Sequence, residues 1–403
     1  MSKNQDTSLK YLFFTFLKIG AISWGGFMAL ISVVQQQLVE KDKKVADGVI
    51  LDSISLASVL PGPLAFNVVS YLGYYLRGIK GALVSMVAIL LPSFFLILIL
   101  TYVYFVYDQV PAFNNFFLGV LPAVAAIIIS VAANMSKKNI KDYRQVIILV
   151  FSGLSLVLFR SFYTTMLIMA VGGISGYFFY RNTISTDNKT VPVKIKLNFR
   201  VLISGVLGIA GLVLLIWLLP VFFQGENSGK ATMVRDISLT FSGMSLTLFG
   251  GGYVIIPAIQ EIVVDGLNWL NTNEFSDAIA MGQITPGPIF ISATFIGYKV
   301  GGLLGAIAAT IAIFFPPAFF MIFCSRFIDQ IKRSKTISAI FKGLRPAVIG
   351  MIFAAAFTIG RGVELNWQTI LLFASVLVLS IKFKINVAYL IPISGLAGVL
   401  LFA

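Results

Sequence analysis

The stretch "SVLPGPLAF", residues 58–66, places Pro61, Gly62 and Pro63 inside a segment whose neighbours are apolar enough to cross a bilayer. Pro61 disfavours helical geometry at the preceding residue, Gly62 tolerates unusual φ angles, and Pro63 suits the first turn of a new helix. The stretch therefore predicts that one helix ends and another begins within a membrane segment. The backbone groups left unpaired there must face protein, water or a ligand, because in lipid each costs several kcal/mol.

The composition indicates an integral membrane protein. The 403 residues are 58% hydrophobic and 11% charged, with a mean hydropathy of +0.94, whereas soluble domains are about half apolar and a quarter charged. Apolar runs recur from Leu9 to Phe402, which leaves no room for a sizeable soluble domain. The single cysteine, Cys324, and the lack of histidine exclude intramolecular disulfides and the familiar His/Cys metal sites. We expect no metal, no cofactor and no catalytic residues.

The distribution of charge predicts the orientation. The net charge of +14 comes from basic residues in short loops rather than on one soluble face, which argues against nucleic acid as a partner. Thirteen apolar segments are candidate spans: 9–34, 48–76, 80–106, 112–135, 145–159, 162–180, 200–222, 236–258, 274–299, 302–325, 338–359, 366–381 and 386–402. Segments 48–76 and 274–299 are interrupted, so each is either a broken crossing or a re-entrant hairpin. Counting both as crossings puts nineteen basic residues in inner loops and eight in outer loops, which predicts a cytoplasmic N-terminus and an external C-terminus.

The motif occurs twice. In "GQITPGPIF", residues 282–290, Pro286 follows Pro61 by 225 positions, and "LFGGGY" follows "SWGGF" at the same interval. Further along the interval is 224, as between Pro92 and Pro316. The pattern predicts a first repeat over 1–199, ending in a basic linker at 181–199, a connecting transmembrane helix over 200–222, and a second repeat over 223–403. With six spans in each repeat and one between them, the fold class is an all-α polytopic membrane protein with two inverted-topology repeats, an architecture typical of transporters.

The broken helices predict an anion site. A helix start presents a partial positive charge and free N–H donors, and inverted copies bring two such starts towards the midplane from opposite sides. The predicted substrate-binding residues are the breaks, the glycine runs and nearby polar side chains: Ser23, Gly25, Gly26, Pro61, Gly62, Pro63, Asn67, Gly250, Gly251, Gly252, Gln283, Thr285, Pro286, Gly287, Pro288 and Ser292. The alternatives are that the breaks are structural kinks and that the glycines serve helix packing.

Several charged residues are further candidates. Lys18 and Arg345 lie within apolar segments and could attract an anion, although snorkelling to the interface is the alternative. Glu40 and Asp265 are 225 positions apart and, with Glu261, are candidates for coupling to protons; as loop acids, Glu40 and Asp265 could instead be simply solvated.

The order "SWGGF", "LPGP", "LFGGGYVIIPAIQEIVV", "WLNTNEF" and "GQITPGP" resembles the chromate ion transporter family, in its long form with two homologous halves. The resemblance covers nearly the whole chain. It implies export of chromate, a tetrahedral dianion that resembles sulfate, across a bacterial cell membrane, with chromate resistance as the outcome and proton exchange as the driving step.

Three functions remain open at this point. The first is a secondary transporter that exports an oxyanion, and the second is an oxyanion channel or a sulfate-type transporter on the same scaffold. The third is a membrane enzyme, which the lack of a His/Cys cluster and of paired carboxylates within the spans disfavours. The sequence does not define the oligomeric state, for which a homodimer is one option.

Overall fold

The structure is a computed structural model. It describes residues 7–23, 26–58, 60–107, 111–159, 162–182, 228–247, 255–325, 335–361 and 364–402. The predicted connecting span 200–222, and the basic linker from residue 183 onwards, lie outside the described residues. We call the described residues before this gap the first half and those after it the second half.

The described residues form α-helices and no strands. The helices of the first half are α1 (Leu9–Ile22), α2 (Gly26–Gln35), α3 (Asp47–Ala57), α4 (Leu64–Tyr107), α5 (Pro111–Asn139), α6 (Tyr143–Leu158) and α7 (Phe162–Tyr180). Those of the second half are α8 (Ser228–Thr247), α9 (Ile255–Gln260), α10 (Thr272–Ile284), α11 (Ser292–Cys324), α12 (Lys335–Arg361), α13 (Trp367–Ile381) and α14 (Val387–Leu401). Two π-helical turns continue α2 and α9, over Gln36–Lys41 and Glu261–Gly266, and a short 3-10 turn, Ile289–Ile291, precedes α11.

Short polar residues begin several of these helices. Ser8 caps α1, and Asp142 caps α6. Asn271 and Glu274 form a capping box at the start of α10, as Asn366 does with Thr369 at the start of α13. Each cap satisfies N–H groups that have no partner within the helix, so the sequence fixes where these helices start.

The protein is an all-α membrane protein. Four helical segments are long and apolar enough to cross a membrane by length and composition: Leu64–Tyr107, Asn114–Lys137, Ile289–Cys324 and Lys335–Arg361. Shorter apolar helices accompany them. Large apolar side chains are exposed on the outer faces, including Phe95, Leu154 and Phe178, whereas several serines and threonines are buried. This distribution suits a surface in contact with lipid.

Helices α4 and α11 each contain a reversal of the chain. At Arg77–Gly78 the φ/ψ angles are −144°/20° and 64°/−155°, and at Gly301–Gly302 they are −143°/24° and 57°/−148°. Thr294 Oγ1 lies 2.7 Å from Thr310 Oγ1, although sixteen residues of continuous helix would span about 24 Å. Each helix therefore has a first arm, 64–76 or 292–300, and a second arm, 79–107 or 303–324, which folds back against it.

Backbone details recur between the halves at the interval found in the sequence. The π-helical turns Gln36–Lys41 and Glu261–Gly266 are 225 positions apart. Lys43 and Asn268, also 225 positions apart, both have positive φ angles, of 50° and 52°. The two halves thus adopt the same local conformations at corresponding positions.

The halves interlock reciprocally. Helix α5 of the first half packs against α13 and α14, and helix α12 of the second half packs against α6 and α7. A Cβ atom placed on Gly119 would lie 2.6 Å from Cα of Gly398, and one placed on Gly343 would lie 2.6 Å from Cα of Gly176. These small residues let the helices of the two halves approach at backbone distance.

Candidate functional site

The first break follows α3. Pro61, Gly62 and Pro63 are buried, and Gly62 has a φ of 94°. The Asn67 Nδ2 group donates a hydrogen bond to the Pro61 carbonyl oxygen at 2.9 Å, while the buried Asn67 Oδ1 has no partner among the described residues. The break is thus fixed by a glycine conformation and by one side-chain amide.

The second break, Pro286–Pro288, follows α10 and is held by the first half of the chain. Gly287 has a φ of 102°, and its N–H group donates to the Ser23 carbonyl oxygen at 2.9 Å. The Ser93 hydroxyl donates to the Pro286 carbonyl oxygen. A Cβ on Gly282 would lie 3.1 Å from the Cβ of Ser292, so the end of α10 packs closely against the start of α11.

The two breaks make reciprocal contacts with the opposite half. A Cβ atom placed on Gly62 would lie 2.6 Å from Cγ of Pro317, and one on Gly287 would lie 2.7 Å from Oγ of Ser93. Pro317 follows Ser93 by 224 positions, so the two contacts occupy equivalent places. Each break is therefore pressed against the second arm of the other half.

An aromatic cluster joins the helix starts that follow the breaks. The Phe314 ring lies 5.0 Å from the Phe66 ring and 6.2 Å from the Phe290 ring, measured between centroids. Phe66 follows the first break and Phe290 follows the second. Both helix starts thus contact one side chain, Phe314.

The polar side chains at the breaks differ in their free hydrogen-bonding capacity. The hydroxyl groups of Ser23 and Thr285 donate to carbonyl oxygens of α1 and α10, at 2.6 and 3.1 Å, and the Ser292 hydroxyl donates to the Ile289 carbonyl oxygen of the 3-10 turn at 3.0 Å. Gln283 is 7% exposed, and neither its Nε2 nor its Oε1 atom has a partner among the described residues. An unpaired buried amide is costly. Gln283 is therefore the side chain whose donors suit a bound oxyanion best.

The other predicted residues lie apart from this arrangement or outside the described residues. Lys18 and Arg345 are exposed on α1 and α12, and Glu40 and Asp265 are exposed on the two π-helical turns. Gly26 begins α2. Gly25, Gly250, Gly251 and Gly252 are outside the described residues.

Glu261 is the buried member of the predicted acids. Its Oε2 atom accepts a hydrogen bond at 2.8 Å from the Thr165 hydroxyl of α7, and its Oε1 atom has no partner among the described residues. It lines a surface recess with Leu156, Pro257, Gln260, Asp265 and Thr358. The carboxyl group thus bridges the two halves at the edge of a recess.

The sequence did not predict the roles of Ser93, Pro317 and Phe314. Ser93 and Pro317 each follow a proline that recurs at the repeat interval, Pro92 and Pro316, and this was the signal available. It marks equivalent positions in two apolar helices. It does not reveal that those helices lie against the opposite breaks.

Comparison with known proteins identifies the family. The sequence model of the family described as "Chromate transporter" matches residues 10–177 and 235–399, which is most of the chain and includes both breaks. The chain belongs to the chromate transporter family.

Relatives with similar sequences cover almost the full length of the chain. A probable chromate transport protein of Synechococcus elongatus is 30% identical over 416 residues, covering 98% of this chain and 96% of the relative. A chromate transport protein of Pseudomonas aeruginosa is 28% identical over 409 residues, covering 98% and 93%. An uncharacterized transporter of Methanocaldococcus jannaschii is 29% identical over 407 residues, covering 100% and 96%. No solved structure matches the chain.

Proposed function

We propose that the protein is a secondary transporter that exports chromate in exchange for protons, and that the anion binds between the two Pro-Gly-Pro breaks. The observation that carries the proposal is the reciprocal packing of Gly62 against Pro317 and of Gly287 against Ser93. It joins two helix starts from different halves in one region. The family membership, and the chromate transport named for its relatives, support chromate as the substrate.

The chemistry of the helix starts suits a tetrahedral oxyanion. The first N–H groups of α4, at Leu64–Phe66, have no acceptor within their helix, and the helix dipole adds partial positive charge there. Gln283 adds amide donors without net charge. Neutral donors of this kind bind a dianion without holding it as strongly as a fixed cation would, which allows release. Sulfate offers the same four acceptor oxygens and is the expected competitor.

The membrane potential favours export. Moving two negative charges outwards through an inside-negative potential releases about 2 × 2.3 kcal/mol per 100 mV. Uptake of the same anion would require coupling to a downhill ion.

The transport cycle rests on two inverted repeats, residues 1–199 and 223–403, with a connecting helix over 200–222. The matching backbone angles of Lys43 and Asn268 support the duplication, and rocking of one repeat against the other would alternate access to the site. In a Cys324→Ser background, single cysteines at positions 43 and 268 should be labelled from opposite sides of the membrane. Labelling of both from the same side would exclude inversion.

Glu261 is the proposed coupling residue among the predicted acids. Its hydrogen bond to Thr165 joins the halves, its second oxygen is buried without a partner among the described residues, and the residue lines a recess. Intramembrane carboxyl groups of this kind commonly serve as proton relays. Glu40 and Asp265 are exposed and serve this role less well.

Uptake into everted vesicles tests the proposal. Chromate should accumulate with the protein present, stop when the proton gradient is collapsed, and disappear in the double variant Pro61→Ala/Pro288→Ala. Chromate flux that neither saturates at low substrate nor depends on the proton gradient would instead indicate a channel, and sulfate accumulation without chromate accumulation would indicate a sulfate transporter. A Gly243→Ala variant, in which the added methyl group meets nothing within 4 Å, is the matched control.

A further inference from the structure

A second buried carboxyl group lies between the halves, close to the second break. Asp277 is on α10, six positions before Gln283, and is 6% exposed. Its Oδ2 atom accepts a hydrogen bond at 2.8 Å from the Tyr104 hydroxyl, which belongs to the second arm of α4. Its Oδ1 atom is buried and has no partner among the described residues.

Tyr104 is fixed by aromatic side chains. Its ring makes edge contacts with the rings of Phe105, Phe117 and Phe295, at centroid distances of 5.1, 5.4 and 5.2 Å. Phe295 belongs to the first arm of α11, so the cluster contains residues of both halves. The hydroxyl donor of Asp277 is therefore held by an apolar cluster that contains residues of both halves.

Lys299, the cation that pairs with helix α10, binds a different carboxylate. Glu274, one turn earlier on α10, forms an ion pair with Lys299, in which the Nζ atom lies 2.7 Å from the carboxylate. The same ammonium group lies 5.1 Å from the centre of the Phe105 ring. The titratable groups with described side chains on the neighbouring helices α5 and α14 are Lys137 and Tyr389, which are exposed. The two ion pairs found in the described part of the chain do not include Asp277.

A carboxylate at such a place is costly when ionised. Removing a charge from water costs several kcal/mol unless a counterion and hydrogen bonds compensate, and a carboxyl group avoids this cost by taking up a proton. The hydrogen bond from Tyr104 favours the ionised form, and the burial favours the neutral form. The balance therefore changes if Oδ1 gains access to water.

We propose that Asp277 and Tyr104 form a proton-binding site between the two halves. Asp277 carries the proton in the conformation described here, and it releases the proton when α10 moves relative to the second arm of α4 and exposes Oδ1. Because α10 leads directly into Gln283 and the second break, the same movement alters the proposed anion site. The inference rests on the proposed proton exchange and adds a second carboxyl group to it.

Infrared difference spectroscopy of the purified protein as a function of pH tests the site without any substrate. The wild-type spectrum should contain the carbonyl band of a protonated carboxylic acid. This band should be lost in Asp277→Asn, shifted in Tyr104→Phe and unchanged in Asp236→Asn, an exposed aspartate paired with Arg235. A spectrum of Asp277→Asn identical to that of the wild type would overturn the proposal.

Proton movement in proteoliposomes tests the role in transport. The Asp277→Asn variant should bind chromate with the wild-type dissociation constant. It should no longer change the pH of the vesicle lumen when a chromate gradient is applied. If this variant moved as many protons per chromate as the wild type does, the inference would be overturned. Failure of the wild-type protein to bind chromate or sulfate would instead reject the proposed function, while the infrared band would still decide whether Asp277 binds a proton.

Discussion

The hydroxyl of Ser93 donates a hydrogen bond to the carbonyl oxygen of Pro286, a residue 193 positions away in the other half of the chain. The equivalent place in the second half is taken by Pro317, which cannot donate and packs its ring against Gly62 instead. The contacts of the two breaks with the opposite half thus differ in kind: a hydrogen bond at the second break and a van der Waals contact at the first. We expect the second break to be bound more firmly to the opposite half than the first.

Replacing Ser93 by alanine should loosen the second break. The substitution leaves the buried Pro286 carbonyl oxygen without this donor, which costs about 1 to 3 kcal/mol of unfolding free energy. The melting temperature in detergent should fall, and so should the rate of chromate transport into vesicles. Ser55→Ala is the control, because the Ser55 hydroxyl bonds only within its own exposed helix turn. Equal effects of the two substitutions would contradict the role of Ser93.

Alanine at either central glycine of the breaks should be damaging. Gly62 and Gly287 have φ angles of 94° and 102°, where an L-residue with a side chain pays about 1 to 2 kcal/mol for the backbone alone. The new methyl groups would also collide with Pro317 and Ser93. Melting temperature and chromate transport should fall in both variants, whereas Gly243→Ala should change neither. Wild-type transport by Gly62→Ala or Gly287→Ala would show that the glycine conformation is dispensable.

Replacing Gln283 by leucine separates binding from stability. Because neither amide atom has a partner among the described residues, the apolar side chain should raise the unfolding free energy by about 1 to 3 kcal/mol while chromate binding is lost. Gln145→Leu is the opposite case, since the Gln145 amide accepts from Lys141 N at 2.7 Å and donates to the Lys342 carbonyl oxygen at 3.3 Å. That variant should be destabilised. A Gln283→Leu protein that still binds chromate would remove Gln283 from the site.

Acid should destabilise the loop between α5 and α6 through Asp142. Partial burial raises the pKa of Asp142, but hydrogen bonds from the Tyr180 hydroxyl and the Gln145 N–H group outweigh it and hold that pKa below its usual value. A depressed pKa means that the stabilisation is present above the unfolded-state pKa of about 3.9 and is lost as the pH falls through the folded-state value.

The variant Asp142→Ala should therefore lose about 1 kcal/mol at neutral pH, because it also removes the cap of α6. When the pH falls below about 4, the unfolding free energy of this variant should decrease by less than that of the wild type. Melting curves at neutral and acid pH measure both effects. Asp236→Ala, at an exposed ion pair, should change stability by less than about 0.5 kcal/mol. An unchanged acid dependence in Asp142→Ala would refute the assignment.

Local features of the fold were accessible from the sequence because they depend on local chemistry. Proline and glycine at 61–63 and 286–288 restrict the backbone wherever they occur, so the helix interruptions could be predicted from residue type and repetition. The same holds for the membrane character, which follows from the apolar runs.

Contacts between segments that are distant in the sequence could not be predicted from it. Ser93 and Pro317 sit in apolar helices that look alike in sequence, and only the packing of each half against the other places them on the opposite break. The sequence does not reveal the site at Asp277 either, because its partner Tyr104 belongs to the first half. Conversely, Lys18 and Arg345 lie within apolar segments but are exposed, since a long side chain can leave an apolar segment at its surface.

The central claim, that the two breaks form one oxyanion site, is tested most directly by a binding titration on the purified protein. Chromate should bind the wild type at one site per chain with sulfate as a competitor, and Gly62→Ala and Gly287→Ala should each abolish binding of that one anion. The claim would be contradicted if chromate bound at two independent sites, each of which is lost in only one of the variants. It would also be contradicted if both variants bound chromate with the wild-type affinity.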